Sequence, residues 1–401
     1  MRQNQIRMNE DLKIPFDDTE VAFRYKSDRQ LKKANFIFSL VNNPMVSSMA
    51  TGLVKFSLAT HLPVKGIIRS TVFEHFCGGE TIEQSERVIQ SLHQYHVGTI
   101  LDYSIEGEES ESVFEATANE IIKTILKAKN NPAIPFSVFK VTGLAAFELL
   151  EKVQAGEKLS EAESVSWGSV LARVDRICKT AFENNVRVLI DAEDSWIQNP
   201  IDDFVYDMMR KYNGKKAIVF NTFQMYRADM LGNLKKAIAQ AEKDNYFFGA
   251  KLVRGAYMEK EAERAAKLNY PNPIHPDKDS TDKAFNDGLA ACVENIHRVA
   301  VMCGSHNEYS NQFLASLIVQ KGMSRQDERV WFAQLLGMSD NISFNMGKAG
   351  FNVAKYVPYG PVESVMPYLL RRAAENTSVA GQSSRELMMI RKELKRRRNG
   401  H

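Results

Sequence analysis

The stretch SVLARVDRICKTAFENNVRVLID, residues 169 to 191, contains one unit of the chain's repeating plan. Up to Asn185 its apolar residues recur at intervals of three and four, as a helix with one buried face requires. Val186 to Asp191 is then a short β-rich run of the kind a parallel strand covered on both faces needs. Further β-rich runs occur at Val97 to Tyr103, Ser137 to Val141, Ala217 to Phe223, Phe247 to Arg254, Val299 to Cys303, Val330 to Leu335 and Asn352 to Tyr359. Between them lie amphipathic stretches such as AFELLEKVQ, MLGNLKKAIAQAEKDN and AFNDGLAACVENIHR. Eight such strands alternating with helices predict an α/β fold, a TIM-type (β/α)8 barrel. A doubly wound open sheet would normally carry GxGxxG after its first strand, and neither that fingerprint nor a Walker GxxxxGK[ST] is present.

Domain organisation follows from the same pattern. Residues 1–95 have helical periodicity, as in DRQLKKANFIFSLV, and are expected to form a helical arm packed on a barrel of residues 96–380, with a basic helix or tail at 381–401. At 44% hydrophobic and 25% charged residues the chain has globular usage, which excludes a disordered or collagenous protein. Its formal charge of +3 is concentrated in RKELKRRR, residues 391 to 398, so no basic channel for nucleic acid is indicated. Four cysteines without a CxxC spacing argue for a reducing compartment and for packing roles. With no membrane-length apolar run and no signal-like N-terminus, a cytoplasmic location is expected, with a peripheral position on the inner face of the membrane as its variant. In the tail, Leu387, Ile390 and Leu394 form one stripe. That stripe is open to two readings: a surface-seeking helix making peripheral membrane contact, or a solvated helix end whose basic last turn suits the macrodipole.

A barrel of this type carries its chemistry at the C-terminal ends of the strands. The polar residues there are Asp102, Glu106, Lys140, Asp191, Glu193, Gln224, Arg254, Tyr257, His306, Asn307 and Tyr356. Lys140 is open to a Schiff-base role of the aldolase kind, or to holding an anionic cofactor. His93 and His96 lack the further ligands a metal site would need, and no metal is expected. In YVPYGPVESVMPYLLRRAAEN, residues 356 to 376, adjacent arginines on an otherwise apolar helix suit a carboxylate clamp. A surface ion pair between Arg371 and Glu375 is the alternative.

Taken together, KLVRGAYMEKE (251–261), LIDAEDSW (189–196) and YVPYGPVESVMPYLLRRAAEN resemble the proline dehydrogenase family in its single-function form, from about Val97 to Asn376. The resemblance implies a distorted (β/α)8 barrel with FAD at its C-terminal face. The implied reaction is oxidation of L-proline to Δ1-pyrroline-5-carboxylate by hydride transfer to flavin N5, with electrons passed to a membrane quinone. It implies that Arg371 and Arg372 grip the substrate carboxylate, and that Lys140 and Asp191 are polar residues of the same pocket. Tyr257, Leu335, Tyr356 and Tyr368 are implied as walls around the proline ring. Glu106 is implied as the partner with which Arg371 closes over substrate, supported by Glu375. On the cofactor side it implies Gln224 near the flavin ring, with Gly255, His306 and Asn307 along the rest of FAD. Lys251 stands where some members have arginine. A hydroxyproline dehydrogenase of the same family is the alternative, which Tyr356 disfavours because it would crowd a 4-hydroxyl.

Overall fold

The computed structural model describes residues 12–41, 72–104, 109–366, 368–369 and 382–400. Eight strands are β1 (Val97–Tyr103), β2 (Phe136–Lys140), β3 (Arg187–Asp191), β4 (Val219–Gln224), β5 (Phe248–Val253), β6 (Val299–Gly304), β7 (Val330–Leu335) and β8 (Val353–Tyr359). They follow chain order around a closed barrel, and the strands pair in parallel. The α/β barrel expected from the alternation is the fold observed. Small differences in strand bounds have local causes. β4 starts at Val219 rather than Ala217 because Asn213 Oδ1 accepts from both Ile218 N and Val219 N at 2.9 Å, so a side chain serves the backbone there. β5 stops at Val253, and the next carbonyl, that of Arg254, accepts from Tyr226 N beyond the end of β4.

The described residues fall into two compact units. The first holds residues 12–14, 109–333 and 350–352, and with them β2 to β6. Its N-terminal barrel end is filled by Phe136, whose ring meets Phe220 at 5.5 Å and Trp331 at 5.3 Å edge-on. Because successive strand side chains alternate between faces, Phe136, Val138 and Lys140 share the inward face of β2. The helix Glu161–Glu183 begins at a capping box, Ser160 bonding Glu163 N and the Glu163 side chain bonding Ser160 N. The stripe it buries includes one cation, Arg173, which donates to Leu144 O and pairs with Glu111.

The second unit holds residues 15–41, 72–104, 334–349 and the described residues from 353 on. Its apolar core joins the helices Thr19–Phe23, Asp28–Val41 and Gln382–Arg398. Phe23, Leu31, Ile37 and Phe38 pack with Phe76, Val365, Leu369, Leu387 and Ile390, and Leu394 lies against them partly buried. This corrects the surface-seeking reading of the tail, since its apolar stripe is spent on the unit's own core. The last turn is also engaged: Arg396 and Arg397 pair with Glu393 at 2.9 and 2.8 Å, and Arg397 reaches Asp28 at 2.8 Å. All four cysteines are buried free thiols, and burial pushes Cys292 and Cys303 up to about 12, which makes them poor nucleophiles.

Candidate active site

In the first unit the inward residues at the strand ends form a polar cluster. Lys140 and Asp191 are register partners, as are Thr222 and Lys251. Lys251 Nζ reaches past β4 to donate to Asp191 Oδ1 at 2.6 Å, with the two side chains 6% and 15% exposed. Such a pair is tolerable inside a barrel only because each charge answers the other. Lys140 is half-buried and faces the buried carboxyl of Glu193. That carboxyl accepts from Thr142 N at 2.9 Å and from Thr142 Oγ1 at 2.5 Å. Burial raises its pKa, and the Thr142 bonds and the Lys140 charge oppose the rise.

Gln224 is held by the same loops. Its Nε2 donates to Glu193 O at 2.7 Å and its Oε1 accepts from Ala256 N at 3.2 Å, which fixes the amide's orientation. One N–H and one lone pair of that amide are left for another molecule. Gly255 has φ +142°, and a Cβ there would lie 2.3 Å from the Tyr226 ring, so only glycine fits. A Cβ on Gly304 would lie 2.9 Å from Val253 and 3.2 Å from the Leu252 carbonyl, so the close approach of β5 favours glycine there. Thr222 Oγ1 is buried and makes no hydrogen bond among the described residues.

Tyr257 precedes the helix Met258–Leu268, which is tied to the loop after β3. Ser195 donates to Glu261 through N at 2.7 Å and Oγ at 2.6 Å, and Lys260 pairs with Asp194 at 2.8 Å while lying over the Tyr257 and Trp196 rings. None of Thr142, Thr222, Ser195, Lys260 and Glu261 is singled out as a site residue from the sequence, although Ser195 lies in LIDAEDSW and Lys260 and Glu261 in KLVRGAYMEKE. Asn307 lies where the resemblance implies, but its side chain caps the helix Glu308–Gln320 by accepting from Ser310 N at 3.0 Å. His306 beside it is half-buried. Arg254 is taken up by Asp282 at 2.6 Å, Ser305 at 2.7 Å and Ser310 at 3.0 Å.

In the second unit Tyr356 and Tyr368 are buried and Leu335 packs partly buried on the core that contains Tyr368. Glu106, Arg371, Arg372 and Glu375 lie outside the described residues. The turn after β7 is bonded at almost every position, one bond running between His75 Nε2 and Gly337 O at 3.0 Å. A carbonyl can only accept, so Nε2 carries the proton. Burial, reinforced by the nearby Lys26 charge, pulls His75 from 6.5 to about 3. Below 6.5 the unfolded chain takes up a proton that the fold resists, so stability should fall as pH drops from 6.5 toward about 3. His75→Gln, which keeps a donor near the same carbonyl, should flatten the dependence of Tm on pH in that window. Equal slopes for the two proteins would dismiss His75 as the cause.

Residues 85–385 match the family model described as proline dehydrogenase. The chain belongs to the proline dehydrogenase family. It is 33% identical over 429 aligned positions to proline dehydrogenase 1, mitochondrial, of Dictyostelium discoideum, covering 95% of this chain and 74% of that protein. It is 41% identical to proline dehydrogenase 1, mitochondrial, of Homo sapiens over 60% of this chain and 40% of that protein. Among solved structures it is similar to proline utilization A from Bdellovibrio bacteriovorus inactivated by N-propargylglycine. The TM-score there is 0.71 at 19% identity, over 91% of this chain and 38% of that chain, a likeness of fold. The family is one of oxidoreductases acting on proline, so the enzyme class read from the three motifs stands. The expected cytoplasmic location does not: the two relatives just described are both named mitochondrial proteins.

Proposed function

We propose that this chain oxidises L-proline to Δ1-pyrroline-5-carboxylate with FAD as its bound flavin, and that a quinone takes the electrons onward. The observation that carries the reading is the family match over residues 85–385. The strand ends support it: they offer what a flat, hydrogen-bonding ring needs. Gln224 has an oriented amide with capacity to spare, and Thr222 has a buried hydroxyl that makes no hydrogen bond among the described residues. Gln224 and Lys251 would hold the ring, and Gly255, His306 and Asn307 the remainder, where the N-terminus of the helix Glu308–Gln320 suits a diphosphate. When bound, FAD supplies a two-electron acceptor for the hydride that leaves the ring carbon beside the proline nitrogen.

The protein's own task is then positioning. Arg371 and Arg372 are assigned the proline carboxylate, with Glu106 and Glu375 as the acidic partners of Arg371. Tyr257, Leu335, Tyr356 and Tyr368 are assigned the walls that exclude water and larger amino acids, with Lys140 and Asp191 as polar residues of the pocket. The Lys251 ammonium beside Asp191 matters to this task. It answers the aspartate charge, which would otherwise repel a substrate carboxylate, and it favours a substrate amine that is neutral and able to assist hydride loss.

Purified protein should be yellow, and proline added without oxygen should bleach it, with 4-hydroxyproline bleaching it more slowly because of Tyr356. A colourless protein, a flavin that proline leaves oxidised, or covalent trapping of a carbonyl compound on Lys140 by borohydride would overturn the proposal.

A further inference from the structure

The second unit contains a buried charge cluster that neither packing nor the proposed reaction requires. Lys355, on β8, has 0% exposure, as has Asp340, the first residue of the helix Asp340–Lys348. Lys355 Nζ lies 2.9 Å from Asp340 Oδ1, and donates to Met338 O at 2.7 Å and to Leu335 O at 3.1 Å. Two of the ammonium's three protons go to the two carbonyls, while Asp340 Oδ1, which accepts no hydrogen bond among the described residues, answers the charge as an ion pair. All three groups belong to one turn, the one that leaves β7. That turn is strained: Ser339 takes φ +49°, a left-handed conformation that a non-glycine residue adopts only when its surroundings hold it there. Glu386 Oε2 accepts from Ser339 N at 3.1 Å, and Leu336 N donates to Tyr356 O at 2.9 Å.

Strand geometry gives the cluster its meaning. Successive side chains of β8 point to opposite faces, so Lys355 grips the turn from the side opposite to that on which Tyr356 points. Leu335, the last residue of β7, is gripped by its carbonyl. Resting on the reading that Leu335 and Tyr356 border the proline ring, we propose that Lys355 is a positioning residue, which sets the spacing of those two walls by clamping the turn after β7. A purely structural role would be served as well by an apolar side chain, because burying an ion pair seldom stabilises more than packing does. A second lysine provides the internal control. Lys26 Nζ meets the other oxygen of Asp340 at 2.7 Å, as does Tyr25 OH at 2.8 Å. Neither of these bonds reaches a carbonyl of the turn.

The test compares Lys355→Met and Lys26→Met in the flavin-loaded enzyme, measuring proline and a six-membered cyclic imino acid side by side. Lys355→Met should raise KM for proline about tenfold, change kcat by less than about twofold, and narrow the preference for the smaller ring. Lys26→Met should lower Tm while KM and preference stay within about twofold of the parent. If Lys355→Met folds poorly, the charge-balanced pair Lys355→Met/Asp340→Asn should show the same change in KM and ring preference. Unchanged KM and preference in Lys355→Met, equal shifts in the Lys26 and Lys355 variants, or failure of both Lys355 variants to fold would each overturn the positioning role. Failure of the parent protein to respond to proline at all would strike the proposed reaction instead, and is seen before any variant is made.

Discussion

Asp191→Asn should lower Tm, because breaking a buried ion pair from one side costs about 3–5 kcal/mol of stability, and should reduce proline turnover by about a hundredfold, because the aspartate is assigned to the proline pocket. The carboxylate and the Lys251 ammonium face each other at 2.6 Å across the inward face, one strand apart, where the lysine is almost wholly removed from water. Asparagine keeps the shape and loses the charge, so the ammonium is left without the anion it faces in a medium that solvates it poorly. Two effects are then mixed, and a second variant separates them. In Asp191→Asn/Lys251→Met both charges are gone, and thermal stability should return most of the way to that of the parent. Turnover should remain low, since the pair is assigned to the site itself and not only to the fold. Turnover that recovers with stability would make the pair a packing feature. A Tm for Asp191→Asn within about 1 °C of the parent would show that water reaches the lysine and the pair is weak.

The barrel is legible in the sequence because each strand buried on both faces writes itself as an apolar run, and because polar residues end those runs at the rim. β1 and β7 begin and end where the apolar runs do. β4 is misjudged at its start because the signal there is Asn213, a side chain that captures two backbone donors and that no propensity reveals. The tail is the sharper lesson. Leu387, Ile390 and Leu394 are read from sequence as a membrane face or as part of a solvated helix end, and neither reading includes a core. Only the fold, which brings Phe23, Leu31 and Phe38 to them from the other end of the chain, decides for the core.

The candidate site is legible in part, for the same reason. Lys140, Asp191 and Gln224 can be placed at the rim because each ends its strand. What each residue bonds to is a matter of contacts between segments far apart in sequence. Asn307 shows how one position serves two readings: a short polar residue three before Ser310 is also a helix cap, and its Oδ1 accepts from Ser310 N. Lys355 is hidden more thoroughly. Within the run Asn352 to Tyr359 it looks like a break in an apolar strand, and its partners Lys26 and Asp340 stand in unrelated segments. A lone lysine in a strand carries no mark to distinguish a solvent-facing residue from the centre of a buried cluster.

Arg371→Met should raise KM for proline by on the order of a hundredfold while the flavin content per chain stays at the parent level, because a hydrogen bond to a charged group contributes about 1.5–3 kcal/mol. The expectation comes from YLLRRAAEN, where two adjacent guanidinium groups offer paired donors that match the two oxygens of a carboxylate. Arg371→Lys keeps the charge and loses the fork, so it should fall between parent and methionine variant. The substrate can be altered as well. Prolinamide lacks the carboxylate charge, and the parent enzyme should discriminate strongly against it. If Arg371 meets that carboxylate, the methionine variant should lose most of this discrimination, since the group that told the two substrates apart is gone from one side of the contact. A surface ion pair between Arg371 and Glu375 would give a different pattern: KM for proline nearly unchanged, discrimination intact, and at most a small loss of helix stability. The two substrates and three proteins together decide between a clamp and a surface pair, whichever way the absolute rates fall.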